Sequence, residues 1–244
     1  MISKNRIKFI QSLHKKKYRQ RYGQFTVEGT KSVVELIHSP LQIDEILASP
    51  DWLNQNKSIL HGLLVTEANN QDLSRISFFA TSSPVLAIAK IPDTNAFSAL
   101  KGEWSLALDG INDPGNLGSI IRIADWYGIK QLALSDNTVD VYNPKVISAS
   151  MGSFTRCSFS VVKLETTFSE IDVPIYYCLM KGNTLHNYGK AEPGLIVIGS
   201  ESHGIRENLL NLTHVPITIN RIGDAESLNA AIATGIVCDR LIQP

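Results

Sequence analysis

Leu106-Ala-Leu-Asp-Gly-Ile-Asn-Asp-Pro-Gly-Asn-Leu-Gly-Ser-Ile-Ile-Arg-Ile-Ala-Asp125 reads as strand, turn and helix in succession. Ser105–Leu108 is apolar enough for a buried parallel strand. Asp109–Gly118 holds three glycines, a proline, two asparagines and two aspartates, so its backbone must turn sharply. From Leu117 the pattern becomes helical. Ile120, Ile121, Ala124 and Tyr127 recur at helical spacing, and Gly128 is placed to end the helix. Arg122 lies just inside that helix. An arginine beside a glycine-rich turn and a helix start is a candidate clamp for an anionic group.

Outward from this stretch the chain alternates strands and helices. Towards the C-terminus the expected strands are Ser105–Leu108, Gln131–Leu134, Arg156–Val161, Ile175–Leu179, Leu195–Ile198 and Val215–Ile219. Helices are expected at Asn116–Tyr127, Pro144–Met151, Arg206–Asn211 and Ser227–Ile242, with another near Phe168–Ile171. This is the signature of a doubly wound, mostly parallel sheet, which binds ligands outside the carboxyl ends of its strands. Residues 24–89 carry shorter strands and helices, as expected of a small α/β module. The turn-rich stretch from Pro92 to Lys101-Gly102 reads as a linker. The resulting division is a basic N-terminal helix or arm at 1–22, an α/β domain at 23–91, a linker at 92–103 and the sheet domain at 104–244.

Composition narrows the function classes. No apolar run approaches the roughly 20 residues of a bilayer span. Met1-Ile-Ser-Lys-Asn-Arg is followed by no apolar segment, so no secretory leader is expected. Cys157, Cys178 and Cys238 are scattered, lack metal-ligand spacing and fit reduced thiols, so a cytoplasmic protein without a metal is expected. The phosphate loop G-x-x-x-x-G-K-[ST] and the dinucleotide pattern G-x-G-x-x-G are both missing. Net charge is zero, yet the first 23 residues carry eight Lys/Arg and no acid. Fifteen basic residues then face 23 acidic ones in the remainder. A basic arm on an acidic body is either a solvated helix face or a footprint for a phosphate backbone, with Lys15, Lys16, Lys17, Arg19 and Arg21 as its densest cluster.

Three polar loops follow apolar strands. The first offers Asn116, as helix cap or orienting group, and Arg122. The second, Gly199-Ser-Glu-Ser-His-Gly204, offers Glu201, which could cap a helix, accept a hydroxyl or hold Asn116. The third, Gly223-Asp-Ala-Glu-Ser-Leu-Asn229, offers Ser227 and Asn229, both competent caps. Each alone is weak, but three converging on one sheet edge are hard to explain as unrelated caps. With these residues in view, the chain resembles the SpoU (TrmH-type) branch of the SPOUT superfamily of S-adenosylmethionine-dependent RNA methyltransferases. The matching motifs are Asp109–Asp125, Val197–Ile205 and Gly223–Ile232. The N-terminal module is similar to the ribosomal-protein-like substrate-binding domain of many members, entered at Phe25-Thr-Val-Glu-Gly29.

The resemblance implies a deep trefoil knot in the C-terminal domain and a homodimer formed through that domain. It implies S-adenosylmethionine held near Leu179, Met180, Gly199, Ile219 and Leu228. It also implies catalysis of ribose 2′-O-methylation by Arg122, with Asn116, Glu201, Ser227 and Asn229 orienting it. Ribosomal RNA is the favoured substrate and transfer RNA the alternative. Rival readings are a non-catalytic RNA-binding protein of the same fold and an enzyme for a small phosphorylated metabolite. One departure stands out: Asn220-Arg221 follows Ile219 where the family usually carries Pro-Met.

Overall fold

In the computed structural model, residues 2–93, 96–187 and 189–242 are described; Met1, the Thr94-Asn95 part of the expected linker, Tyr188 and the last two residues lie outside them. In chain order the elements are α1 (Lys4–Ser12), α2 (Lys16–Tyr22), β1 (Gln24–Glu28), α3 (Thr30–Ile37), β2 (Ile43–Ala48), α4 (Pro50–Gln55), β3 (Val65–Glu67), α5 (Asn70–Ile76) and β4 (Val85–Lys90). Then come β5 (Ser105–Asp109), α6 (Pro114–Trp126), β6 (Gln131–Leu134), α7 (Pro144–Ala149), β7 (Ser158–Val161), α8 (Leu164–Ser169), β8 (Ile175–Thr184), β9 (Leu195–Gly199), α9 (Glu207–Leu210), β10 (Val215–Thr218) and α10 (Ala230–Leu241).

Two compact units result. The first comprises the chain up to Asp93 together with Asp140–Thr155; the rest forms the second. Residues 140–155 fall inside the stretch read from sequence as one domain, 104–244. Aromatic packing draws them to the first unit. Phe25, fully buried on β1, meets the ring of Tyr142 at 4.7 Å and the edge of Phe154 at 6.0 Å. Gly152 takes a positive φ of 96°, and a Cβ there would lie 2.6 Å from the Glu35 side chain on α3.

The sheet of the first unit runs β1-β4-β2-β3; β4 is antiparallel to both of its neighbours and β2–β3 is parallel. Ile10 and Leu13 plug its core beside Leu47, Leu73, Ile76 and Ile88. The single basic N-terminal helix expected within residues 1–22 is broken in two. Leu13, His14 and Lys15 form a turn, and α2 restarts at Lys16. The break lets Leu13 turn into the core, so burial overrides local propensity.

Arg19 corrects the sequence reading. It was expected to face RNA, but it is 2% exposed. Its Nε donates to Asp140 Oδ2 at 2.9 Å, its Nη2 donates to the same oxygen, and its Nη1 donates to the Leu13 carbonyl at 2.8 Å. A desolvated guanidinium needs these partners. Lys15, Lys16, Lys17 and Arg21 are exposed, as expected.

In the second unit the sheet order is β10-β8-β9-β5-β6-β7, with every pairing parallel. Leu106, Ala107, Leu108, Leu195, Ile196 and Val197 are fully buried, which is why β5 and β9 read as unbroken apolar runs. Parallel pairing delivers the ends of β5, β8, β9 and β10 to one edge. β8 continues to Thr184, past the Leu179 expected. β10 pairs with Tyr176 and Tyr177, then skips to Asn183 and Thr184. A Cβ on Gly182 would sit 2.8 Å from the Pro216 carbonyl carbon, so only glycine permits this approach.

Candidate active site

All three polar loops lie in the second unit, at that sheet edge. The first begins at Asp109, which is 1% exposed. Its carboxylate accepts from the Arg206 backbone N–H at 2.8 Å and from Arg206 Nε at 2.7 Å. Gly110 turns with φ 76°, and its N–H donates to Ser135 Oγ at 2.8 Å. Asp113 then caps α6, accepting from the Asn116 N–H at 2.8 Å, and Pro114 follows as the first helical residue. Asp113, not Asn116, is therefore the cap, and the Asn116 side chain is free for another role.

That role is a bridge. Asn116 Nδ2 donates to Glu201 Oε1, and Asn116 Oδ1 accepts from Asn229 Nδ2 at 2.8 Å. Asn229 also caps α10 by accepting from the N–H groups of Ala231 at 3.0 Å and Ile232 at 3.3 Å. One carboxamide thus joins all three loops. It must be an amide, because it donates to a carboxylate and accepts from another amide at once. Ser227 is not the cap of α10; it lies exposed on the third loop.

Beside the bridge is a cleft of about 740 Å³, within the range of sites for medium-sized ligands. Leu179, Met180, Gly199, Ile219 and Leu228, the five positions expected to hold the cofactor, all line it, as do Glu201 and Ser227. Asn116, Asn229 and Arg122 are not among its walls. Arg122 projects from α6 as an exposed side chain, one turn before Trp126, which is 83% exposed. Among the described residues Arg122 makes no hydrogen bond or ion pair. Among those residues, too, no group of three or more His, Cys, Asp or Glu side chains could hold a metal, and no helix is long and apolar enough to cross a membrane.

Gly199 explains how the second loop keeps its shape. Ser200 and Gly204 exchange backbone hydrogen bonds at 3.1 and 2.9 Å, folding the loop back on itself. A Cβ on Gly199 would lie 2.2 Å from the Gly204 carbonyl carbon. Cys178 lines the cleft, but burial pushes its thiol up to about 11, so it stays protonated and unreactive near neutrality. Arg221 also lines the cleft and donates to the Ala225 carbonyl at 3.3 Å, closing a turn of the third loop. Asn220 accepts from Thr184 Oγ1 at the end of β8. The departure from Pro-Met therefore carries its own tether.

Sequence reasoning missed the Asp109–Arg206 pair. The signal was present: an aspartate ending an apolar strand, with an arginine two residues beyond the second glycine loop. The spacing of 97 residues hides their contact.

Comparison with known proteins fits this geometry. Residues 103–239 match the family model described as the SpoU rRNA Methylase family, and residues 4–87 match the MRM3-like substrate binding domain. A Bacillus subtilis relative, 23S rRNA (guanosine(2553)-2′-O)-methyltransferase RlmP, is 28% identical over 95% of this chain and 94% of its own. A TrmH-family structure from Porphyromonas gingivalis superposes with a TM-score of 0.88 at 34% identity, covering 98% of both chains. An AdoMet-bound rRNA methyltransferase from Sinorhizobium meliloti superposes at 0.87 with 27% identity, over 98% of this chain and 95% of that one. The parallel sheet, its cleft and the small N-terminal unit define a methyltransferase of the SPOUT class. Within that class the chain belongs to the SpoU rRNA methylase family.

Proposed function

We propose that the protein transfers a methyl group from S-adenosylmethionine to a ribose 2′-hydroxyl of ribosomal RNA. The observation that carries this reading is the Glu201–Asn116–Asn229 bridge, which locks three loops around the cleft. The residues present fit the cofactor. Leu179, Met180, Ile219 and Leu228 offer apolar surface, and the sharply folded loop at Gly199 brings backbone groups close. When bound, S-adenosylmethionine supplies an electrophilic methyl on a sulfonium. In the transfer an O–CH3 bond forms as the S–CH3 bond breaks, and the hydroxyl proton leaves to a base or to solvent.

The chain's own work is positioning and activation. Arg122 is proposed as the catalytic residue. A guanidinium is a permanent cation and a poor proton acceptor, which favours an electrostatic part, lowering the hydroxyl pKa or gripping the adjoining phosphate. Asn116, Glu201, Ser227 and Asn229 orient the loops and the ribose. Arg122 stands outside the cleft walls, one turn before the exposed Trp126 on α6, and Ile232 on α10 is also exposed. This supports a homodimer formed through the second unit, in which Arg122 serves across the interface. A trefoil knot in this unit, supported by the close passage at Gly182, and a cytoplasmic location complete the reading.

Ribosomal RNA is preferred because the Bacillus subtilis relative is named for it and a substrate-binding domain is present. Transfer RNA is the second reading. Incubation with labelled S-adenosylmethionine and deproteinised ribosomal or transfer RNA, followed by mapping of the 2′-O-methyl mark, tests it. Arg122→Ala is expected to keep cofactor binding and lose methylation; near-normal turnover would remove Arg122 from the mechanism.

A further inference from the structure

The first unit carries an aromatic surface that the proposed reaction does not use. On α1 and α2, Phe9 meets Tyr22 with ring centroids 5.1 Å apart, and Tyr22 lies nearly parallel to Tyr18 at 6.2 Å and 13°. Two guanidinium groups cover this row. Arg6 sits 4.8 Å from the Phe9 centroid and Arg21 sits 5.6 Å from that of Tyr22. Arg6 is held there by Glu45, which accepts from its Nε at 3.0 Å and also from Thr66 at 2.6 Å. Arg21 and the three lysines Lys15, Lys16 and Lys17 are exposed around the row. Tyr22 remains 41% exposed.

Phosphate attraction alone explains the lysines. It makes no use of the rings of Tyr22, which is exposed, and Tyr18, which is half-buried, and aromatic rings left partly open beside cations are candidate stacking surfaces. In an A-form duplex the bases are stacked inside and their faces are out of reach. Unpaired nucleotides offer a π-face and a phosphate together, and rings flanked by cations match both. We propose that Tyr18 and Tyr22, flanked by Arg21 and Lys15–Lys17, form a stacking platform for an unpaired base, so that the first unit selects single-stranded or bulged RNA over duplex. This rests on the RNA-methyltransferase reading and sharpens its substrate class.

The test uses the full chain and fluorescence anisotropy with two labelled RNAs, an unstructured oligoribonucleotide and a hairpin duplex of matched length. Tyr22→Ala is expected to weaken single-strand binding about ten-fold, within the range for one lost stacked base, and to leave duplex binding unchanged. Tyr22→Phe keeps the ring and is expected to bind as the wild type. Lys16→Ala is expected to weaken both RNAs. Tyr18→Ala repeats the test at the neighbouring ring, and unchanged melting temperatures show that the variants fold. Equal losses on the two RNAs, or no loss at either tyrosine, would overturn the platform alone, provided that the wild type binds RNA and methylates it. A wild type that binds neither RNA would remove the broader reading, and the platform with it.

Discussion

Arg19→Ala separates two roles that a basic run leaves entangled. Arg19 sits amid Lys15, Lys16, Lys17 and Arg21, yet it is buried, and its guanidinium holds Asp140 twice and the Leu13 carbonyl once. Alanine would leave the Asp140 carboxylate, whose side chain is 17% exposed, without its counter-ion. Removing one member of a buried pair costs about 3–5 kcal/mol. In a chain of this length each kcal/mol shifts the melting temperature by roughly 2–4 °C, so a fall of about 6–20 °C is expected. Arg19→Lys should recover little, since an ammonium cannot reproduce the forked contact. Lys16→Ala should behave in the opposite way. Its melting temperature should stay unchanged, while the slope of log affinity against log salt becomes shallower by about 0.7–0.9 for one lost phosphate contact. Differential scanning fluorimetry and salt-titrated RNA binding read both effects. An Arg19→Ala protein that melts like the wild type, yet binds RNA with a shallower salt slope, would refute the structural assignment.

Asn116→Asp is expected to cut turnover by at least ten-fold with cofactor affinity little changed, because it sets a carboxylate against Glu201 while keeping the acceptor for Asn229; single-turnover kinetics and calorimetry check this. Asp109→Asn weakens two charge-assisted hydrogen bonds to Arg206, each worth about 1.5–3 kcal/mol, so the second loop should loosen and S-adenosylmethionine affinity fall about ten-fold or more, read by calorimetry. Gly199→Ala forces a Cβ into the Gly204 and Ile205 backbone, and it should abolish cofactor binding while the circular dichroism spectrum stays native. His14 supplies a pH effect. Burial lowers its pKa below the usual 6.5, opposed more weakly by the Ile76 backbone and Glu28 and reinforced by Arg19, and its buried Nε2 has no hydrogen-bond partner among the described residues. The unfolded chain takes up this proton first as pH falls, so stability is complete above the ordinary imidazole value and is lost below it. Between about pH 7 and about pH 5 the wild type should lose more melting temperature than His14→Gln; parallel curves would exclude His14 as the source.

Much of the second unit was legible because its strands carry one strong signal. The middles of β5, β6 and β9 are buried on both faces and therefore apolar, and the polar residues at or just after their carboxyl ends mark the ligand edge. The proposed cofactor positions came from the family resemblance rather than from periodicity: Leu179 and Met180 lie in the middle of β8, and Leu228 lies on the loop before α10. Side-chain pairings were harder. Asn116 was open between cap and bridge until Asp113, three residues earlier, was seen to take the cap. In the first unit, helix propensity joined α1 to α2 because nothing local reveals that Leu13 must turn inward. The basic run gave a correct charge count but no way to know that one of its members, Arg19, pairs with Asp140, 121 residues away. Long-range burial decided each of these, and spacing along the chain does not record it.

The return of residues 140–155 to the first unit bears on modularity. The first unit is not a cassette that a single cut near residue 93 could release. Such a cut would strip Arg19 of Asp140, and Phe25 of Tyr142 and Phe154. A fragment ending there would expose a fully buried phenylalanine and orphan a buried cation, which marks it as aggregation-prone. Exchanging the first unit of this methyltransferase therefore requires replacing two separated segments in concert. Recombination within such a lineage should carry the 140–155 insert along with the N-terminal unit or fail to yield a folded protein.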